Sequence, residues 1–265
     1  MDLKIEQQNL DMILSMLMLK DTFPYCPLTI KSDKSGPSLV SYQETESKHI
    51  FRYARFFKDY FKSLKAGDKE ETIHINAQKI HKVVSREEPE AVIRMYTDGD
   101  EKLMLSTPRA DVTLHLLEAT VGTCTGLPFS INKDGLVEFK TAGPLENIIS
   151  ITPKDLKRIV SYSSDLDTDK YQFILSDKKE VTIKVGDLEI GAEKAIYQPI
   201  YTVKKYVSPV NSTISLAMKE MSETFTCDID VQCKTGMPMF FSEKSHKHRY
   251  GVLVAPYVEP EEGQG

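Results

Sequence analysis

The pattern of apolar residues in this chain is written twice. Leu3 and Ile5 alternate as in a half-buried strand, and Leu10 and Ile13 follow at helical spacing. Ile149 and Ile151, then Leu156 and Ile159, repeat the pattern, each 146 positions after its counterpart. A period of two that passes directly into a period of three to four marks a strand running straight into an amphipathic helix.

A second pair of segments follows the same rule. Thr72-Ile73-His74-Ile75 leads into a helical run from Ala77 to Ser85, and Thr213-Ile214-Ser215-Leu216, 141 positions later, leads into Ala217 to Glu223. Two alternating strands joined by a turn follow each helix. They are Val92–Tyr96 and Lys102–Leu105 around Asp98-Gly99-Asp100, and Cys227–Cys233 and Pro238–Phe241 around Lys234-Thr235-Gly236. Alternation broken by Gly and Asp signals predicts antiparallel hairpins. Each half therefore reads as an α+β unit, with two helices packed on antiparallel sheet around one core.

Between the halves, residues 119–146 hold Gly122, Gly126, Pro128, Gly135, Gly143 and Pro144, the composition of a connector, with a short strand near Leu136–Phe139. The expected organisation is an N-terminal domain over 1–118, the connector over 119–146, a C-terminal domain over 147–259 and an acidic tail over 260–265.

The charges on the helices point to a ligand. In the run after Lys154, Thr152 suits the N-cap, Pro153 the first helical position and Asp155 the first turn. Leu156, Ile159 and Val160 form the apolar stripe; Lys154, Lys157, Arg158 and Ser161 fall opposite, with Asp155 as the one nearby acid. In the run after Asn76, Ile80, Val83 and Val84 form the stripe, and Lys79, Lys82 and Arg86 recur opposite. The fourth helix contributes Lys219 beside Ser215 and Ser222. The first exposes Gln8, Asp11 and Ser15 and has Lys20 only at its end.

Any one such face, alone, is equally the solvated side of a surface helix. The contrast with the whole chain favours more: its 265 residues carry a net charge of −5, so the overall surface does not attract nucleic acid while a local stripe can. Lysines on helices that share a surface would draw phosphates without reading bases.

Catalytic and metal chemistry lack support. The chain has no P-loop, no G-x-S-x-G and no strand-following G-x-G-x-x-G. His246 and His248, with Cys227 or Cys233, offer zinc-type donors, but a polar hairpin loop accounts for them more simply. Asp98-Gly99-Asp100 reads as a tight turn, and Asp165, Asp167 and Asp169 as a solvated loop. No catalytic residue, metal or cofactor is expected. The four dispersed cysteines, Cys26, Cys124, Cys227 and Cys233, read as reduced thiols. No apolar run reaches the ~18 residues a spanning helix needs, and MDLKIEQQ has no signal- or transit-peptide character. An intracellular protein is expected, nuclear or cytoplasmic according to its host.

The repeat, the connector, the ending Tyr250-Gly251-Val252-Leu253-Val254-Ala255-Pro256-Tyr257-Val258-Glu259-Pro260 and the segment Thr235-Gly236-Met237-Pro238-Met239-Phe240-Phe241 together resemble the sliding clamps of the proliferating cell nuclear antigen (PCNA) type. The order of elements agrees from Leu3 to Glu261. The resemblance implies a DNA-clamp fold and a homotrimeric ring around double-stranded DNA, with sheets outside and helices lining the hole. Lys79, Lys82, Arg86, Lys154, Lys157, Arg158 and Lys219 would face the phosphates in a sequence-independent manner. Subunits would join by strand addition, Ala110–Leu117 of one copy against Glu193–Gln198 of the next.

The resemblance further implies a DNA polymerase, a clamp loader and other replication or repair proteins as partners, most of them docking through short peptide motifs. The matching positions are His49, Ile50, Leu127, Pro128, Pro238, Leu253, Val254, Ala255 and Pro256. Two alternatives stay open on the residues alone: a subunit of a heteromeric or checkpoint-type clamp, and a monomeric processivity factor.

Overall fold

In the computed structural model both strand-to-helix units form. The structure describes residues 1–19, 22–34, 36–65, 72–99, 101–118, 128–132, 136–186, 193–215 and 218–257. The first half begins with β1 (Asp2–Glu6), α1 (Gln7–Met18), β2 (Tyr25–Asp33), β3 (Gly36–Glu44) and β4 (Ile50–Phe57). It continues with β5 (Phe61–Lys65), β6 (Thr72–Asn76), α2 (Ala77–Val84), β7 (Val92–Asp98), β8 (Lys102–Ser106) and β9 (Asp111–His115). Three short strands, β10 (Ser130–Ile131), β11 (Val137–Phe139) and β12 (Gly143–Pro144), make a small antiparallel sheet. The second half then runs β13 (Asn147–Ile151), α3 (Pro153–Asp165), β14 (Lys170–Leu175), β15 (Val181–Gly186), β16 (Lys194–Tyr197) and β17 (Tyr201–Lys205). It ends with β18 (Val210–Ser215), α4 (Met218–Thr224), β19 (Ile229–Cys233), β20 (Met239–Lys244) and β21 (His248–Val254).

The chain divides into two compact units, Met1–Leu127 with Lys244–Gly251, and Pro128–Glu243 with Val252–Gly265. In the first, strands pair in the order β5-β1-β7-β8-β9 and β6-β2-β3-β4, and beyond β4 lies the start of β21. The Phe57 amide donates to the Lys247 carbonyl at 2.8 Å. In the second unit the orders are β17-β13-β19-β20 and β16-β15-β14-β18. All these pairings are antiparallel where register is defined, so the α+β reading holds.

The duplication is kept at the level of helix starts. α1 begins at Gln7 and α3 at Pro153, 146 positions apart; α2 begins at Ala77 and α4 at Met218, 141 apart. Within each unit the two helices pack on one another. Leu3, Ile5, Leu10 and Ile13 are buried, as are their counterparts Ile149, Ile151, Leu156 and Ile159. Each such side chain contributes about 1.5–3 kcal/mol of burial.

Local chemistry sets the boundaries. Asn76 caps α2 by accepting the Lys79 amide at 2.9 Å, and the Thr152 hydroxyl accepts the Asp155 amide at 3.1 Å. β19 starts at Ile229 rather than at Cys227, because the Glu243 carboxylate accepts the Thr226 and Cys227 amides, both at 2.8 Å. Those amides are therefore spent outside the strand ladder. β20 begins at Met239, immediately after Pro238, which has no N–H to give a ladder.

Gly186 ends β15 at φ +117, and a Cβ there would sit 2.6 Å from the Glu193 carbonyl oxygen. Glycine thus permits the close approach that brings β16 onto β15. Val83, expected in the α2 stripe, is half-exposed; Ile80 and Val84 carry that contact.

Candidate nucleic-acid interface

The helix faces carry unequal charge. On α2, Lys79 and Lys82 are exposed, and Arg86 is exposed just past the helix end. The acids that follow, Glu87 and Glu88, are engaged by Arg109, at 4.0 and 3.1 Å. On α3, Lys154, Lys157, Arg158 and Ser161 are exposed together with Tyr162, an aromatic neighbour the periodicity did not single out. Lys79, Lys82, Arg86, Lys154 and Lys157 form no ion pair with another described residue.

Asp155 does not neutralise the α3 face. Its side chain is buried and turned inward, against expectation, where Oδ1 accepts the Tyr197 hydroxyl at 2.5 Å and the Ile200 amide at 3.2 Å. Oδ2 accepts the Thr152 hydroxyl at 2.5 Å. Burial alone raises the Asp155 pKa, and the hydrogen bonds from Thr152, Tyr197 and the Ile200 amide outweigh it, leaving the carboxyl below its ordinary value. The outward side of α3 is therefore cationic until Asp165 at its end.

The other two helices differ. At the α1 positions 146 residues before Lys154, Lys157, Arg158 and Ser161 stand Gln8, Asp11, Met12 and Ser15. Asp11 lies 3.0 Å from His81 of α2, and Met12 is 37% exposed. Lys20 lies outside the described residues. On α4, Lys219 and Glu223 are exposed; Ser222, placed beside Lys219 in the sequence reading, is buried and donates to the Lys219 carbonyl at 2.8 Å. Positions 141 residues after Lys79 and Lys82 hold Glu220 and Glu223. One strongly cationic helix per unit, α2 and α3, is the arrangement.

The two strands named for subunit joining are both sheet edges. β9 is the last strand of its sheet and β16 the last of its own. Ile196 of β16 and Ile200 just after it are 62% and 74% exposed. Open main-chain groups bordered by apolar side chains are what a further strand would cover.

The residues named for peptide docking take different positions. His49 is exposed and Ile50 buried at the start of β4 in the first unit. In the second, Pro128 is exposed, and Pro238, Ala255 and Pro256 are half-exposed. Leu253 and Val254 are core residues, 8% and 1% exposed. Phe129 stacks edge-on against Phe240 at 5.4 Å, and the Val137 amide donates to Gln232 Oε1 at 2.8 Å. Past β21 the chain bridges β18 at Pro256, and the Tyr257 amide donates to the Thr213 carbonyl at 2.8 Å. Leu127, residues 119–126, Asp100, Cys124, Leu216, Ala217 and the acidic tail lie outside the described residues.

His246 is exposed and Cys233 is buried. His248, expected in a polar loop, is 3% exposed, with Nδ1 2.7 Å from the Tyr60 hydroxyl and 3.0 Å from the Ser245 hydroxyl. Arg52, in β4, is turned inward and fully buried, with Nη2 donating to Ser41 and Gln43 and its guanidinium over the Phe23 ring. Among the described residues no helix is long and apolar enough to cross a membrane.

No protein-family model matches the chain, and no curated protein matches it. Solved structures are. The chain superposes on A. fulgidus PCNA, bound there to the C-terminal region of FEN-1, with TM-score 0.72 and 13% identity, covering 98% of this chain and 99% of that one. PCNA from Thermococcus kodakaraensis gives 0.71 at 10% identity over 97% and 99%. Proliferating cellular nuclear antigen from Entamoeba histolytica gives 0.72 at 12% over 97% and 98%. The chain has the fold of these clamps from end to end, as its element order implied.

Proposed function

We propose that this chain, having the PCNA-type fold, is a non-enzymatic DNA sliding clamp: three copies close into a ring around duplex DNA. The ring then tethers a DNA polymerase and other replication or repair proteins.

One observation carries the reading. By the repeat, β16 in the second half is the equivalent of β4 in the first, and β9 is the equivalent of β21, the strand that closes the chain. β4 has the start of β21 along its outer edge; among the described residues no strand covers the outer edges of β16 and β9. Adding β9 of one copy to β16 of the next reproduces between molecules the pairing that the chain makes within itself. Such a head-to-tail contact generates a closed ring when the rotation per subunit allows it. It also removes both edges, which otherwise invite aggregation.

In that ring Lys79, Lys82, Arg86, Lys154, Lys157, Arg158 and Lys219 serve the DNA phosphates. Exposed, mobile lysines suit contact that must slide rather than lock. Leu127, Pro128, Pro238, Leu253, Val254, Ala255 and Pro256, with His49 and Ile50, are the residues that the clamp reading assigns to a partner peptide. The FEN-1 C-terminal region bound to A. fulgidus PCNA is the precedent for a peptide ligand on this fold.

The test is topological. With a clamp loader and ATP, the protein is expected to stay on nicked circular plasmid through a high-salt wash and to leave once the plasmid is cut. Equal retention on circular and linear DNA would mean adhesion rather than encirclement, and would overturn the reading.

A further inference from the structure

One face of the β6-β2-β3-β4 sheet, the one turned away from the core, carries rings and cations in alternation. Along β4, Tyr53, Arg55 and Phe57 are half-exposed and interleave with Arg52, Ala54 and Phe56, which are buried. Tyr42 of β3 stands directly opposite Tyr53, and the two rings stack 5.5 Å apart at 16°. Lys31 of β2 lies over the Tyr42 ring, its Nζ 5.8 Å from the centroid. Two guanidiniums, those of Arg55 and of Arg249 in β21, lie over the one Phe57 ring, at 5.3 and 5.8 Å. Two more lysines border the face. Lys34 is exposed in the β2–β3 turn, and Lys58 follows Phe57 with its Cδ 3.9 Å from where a Cβ at Gly36 would stand. All these residues belong to the first compact unit.

The local charge balance opposes that of the whole chain. Lys31, Lys34, Arg55, Lys58 and Arg249 stand against three acids, Asp33, Asp59 and Glu44 at the far end of β3, in a chain of net charge −5. Arg55 pairs with Asp33 and donates to the Ser38 hydroxyl at 3.1 Å. Lys34, Lys58 and Arg249 form no ion pair with another described residue. Cation–ring contacts hold long basic side chains against a surface without neutralising them, so their charge stays open to a ligand.

We propose that this sheet face binds single-stranded DNA, with phosphates on the cations and bases on the half-exposed rings. Aromatic side chains set among basic ones hold unpaired strands of any sequence, because every base has a face to stack. An acidic peptide would satisfy the cations and leave Tyr42, Tyr53 and Phe57 without a use, and a duplex keeps its bases stacked inside. That the strand is DNA rests on the clamp reading; the rings and cations do not depend on it.

The experiment is fluorescence anisotropy of the full chain with a labelled oligodeoxythymidine of about 12 nucleotides, over a salt series. The wild type is expected to bind. Phe57→Leu, which keeps apolar bulk but removes the ring, should weaken binding about five-fold or more. Arg249→Ala, at an exposed position, should flatten the slope of log K against log salt by about 0.7, one single-strand phosphate contact, and Arg249→Lys should restore it. No binding by the wild type, or wild-type affinity and slope in Arg249→Ala, would overturn the proposal; so would wild-type affinity in folded Phe57→Leu. Oligoglutamate of equal charge that displaces the label as readily as unlabelled oligodeoxythymidine would also overturn it, since the rings would then add nothing. If Phe57→Leu does not fold, Arg249→Ala decides alone. Both variants should keep retention on circular plasmid. A wild type without that retention would sink the clamp reading and leave the single-strand result standing, so the two failures are distinguishable.

Discussion

The Tyr60 hydroxyl and His248 Nδ1 lie 2.7 Å apart although 188 residues separate them, and both side chains are buried. The pair ties the start of β21 to the turn before β5 within the first unit, beside the Phe57-to-Lys247 main-chain bond. Tyr60→Phe removes one partner of a buried bond while keeping the ring. It is expected to lower unfolding free energy by about 0.5–1.5 kcal/mol, read as a lower urea midpoint at unchanged m. An unchanged midpoint would mean that the bond adds nothing.

Arg52 is a buried cation with no carboxylate against it among the described residues. Burial lowers its pKa, and Nε and Nη1 meet no acceptor there. Burying a charge without a counter-charge is costly, and even buried ion pairs are often replaced by packed apolar side chains at no loss of stability. Arg52→Met should therefore hold or raise the thermal midpoint, whereas Arg52→Ala, which leaves a cavity, should lower it. A marked loss in the methionine variant would show that the bonds to Ser41 and Gln43 outweigh the desolvation.

Asp155 makes stability depend on acid. Its folded pKa lies below the ordinary aspartate value, so the unfolded chain takes up the proton first as pH falls. The contribution is complete above the unfolded pKa, near 4, and is lost as pH drops through the lower folded value. Urea midpoints from pH 6 to pH 2.5 should fall less steeply for Asp155→Asn than for the wild type. Parallel curves would show that the carboxylate is not held as described.

Burial pushes the Cys26 thiol up to about 11 and Cys233 up to about 12. Both should resist a thiolate-directed reagent at pH 8 in the native protein and react once urea unfolds it. Cys227, only half-buried, should react first of these three. Native labelling of Cys233 at the Cys227 rate would contradict the packing of β19.

Gly186→Ala tests how β16 is placed. The new methyl must displace the Glu193 carbonyl and adopt a φ that L-residues avoid, so a loss of about 1–3 kcal/mol is expected. A stability equal to wild type would mean that β16 is not held against β15 at this point.

What the sequence made legible was local and periodic. Strand-to-helix switches at Leu3–Ile13 and Ile149–Ile159, the Thr152 cap and the outward lysines follow from spacing alone, because each depends on neighbours within a turn or two. Side chains whose partners are distant in the chain were not legible. Asp155 looks like an exposed first-turn acid until Tyr197, 42 residues on, is seen to claim it. His248 looks like a loop residue until Tyr60 is placed beside it. Arg52 alternates into the core because β4 pairs with β3 in a register that brings Gln43 opposite it. No local pattern announces that register.

The central claim is that β9 and β16 complete one another between copies of this chain. Its most direct test is the solution mass of the purified protein by sedimentation equilibrium at micromolar concentration. The expected result is a species near three times 30.0 kDa, dissociating when Ile196→Asp places a charge beside the β16 edge. A single 30.0 kDa species at every concentration, unaffected by that substitution, would contradict it.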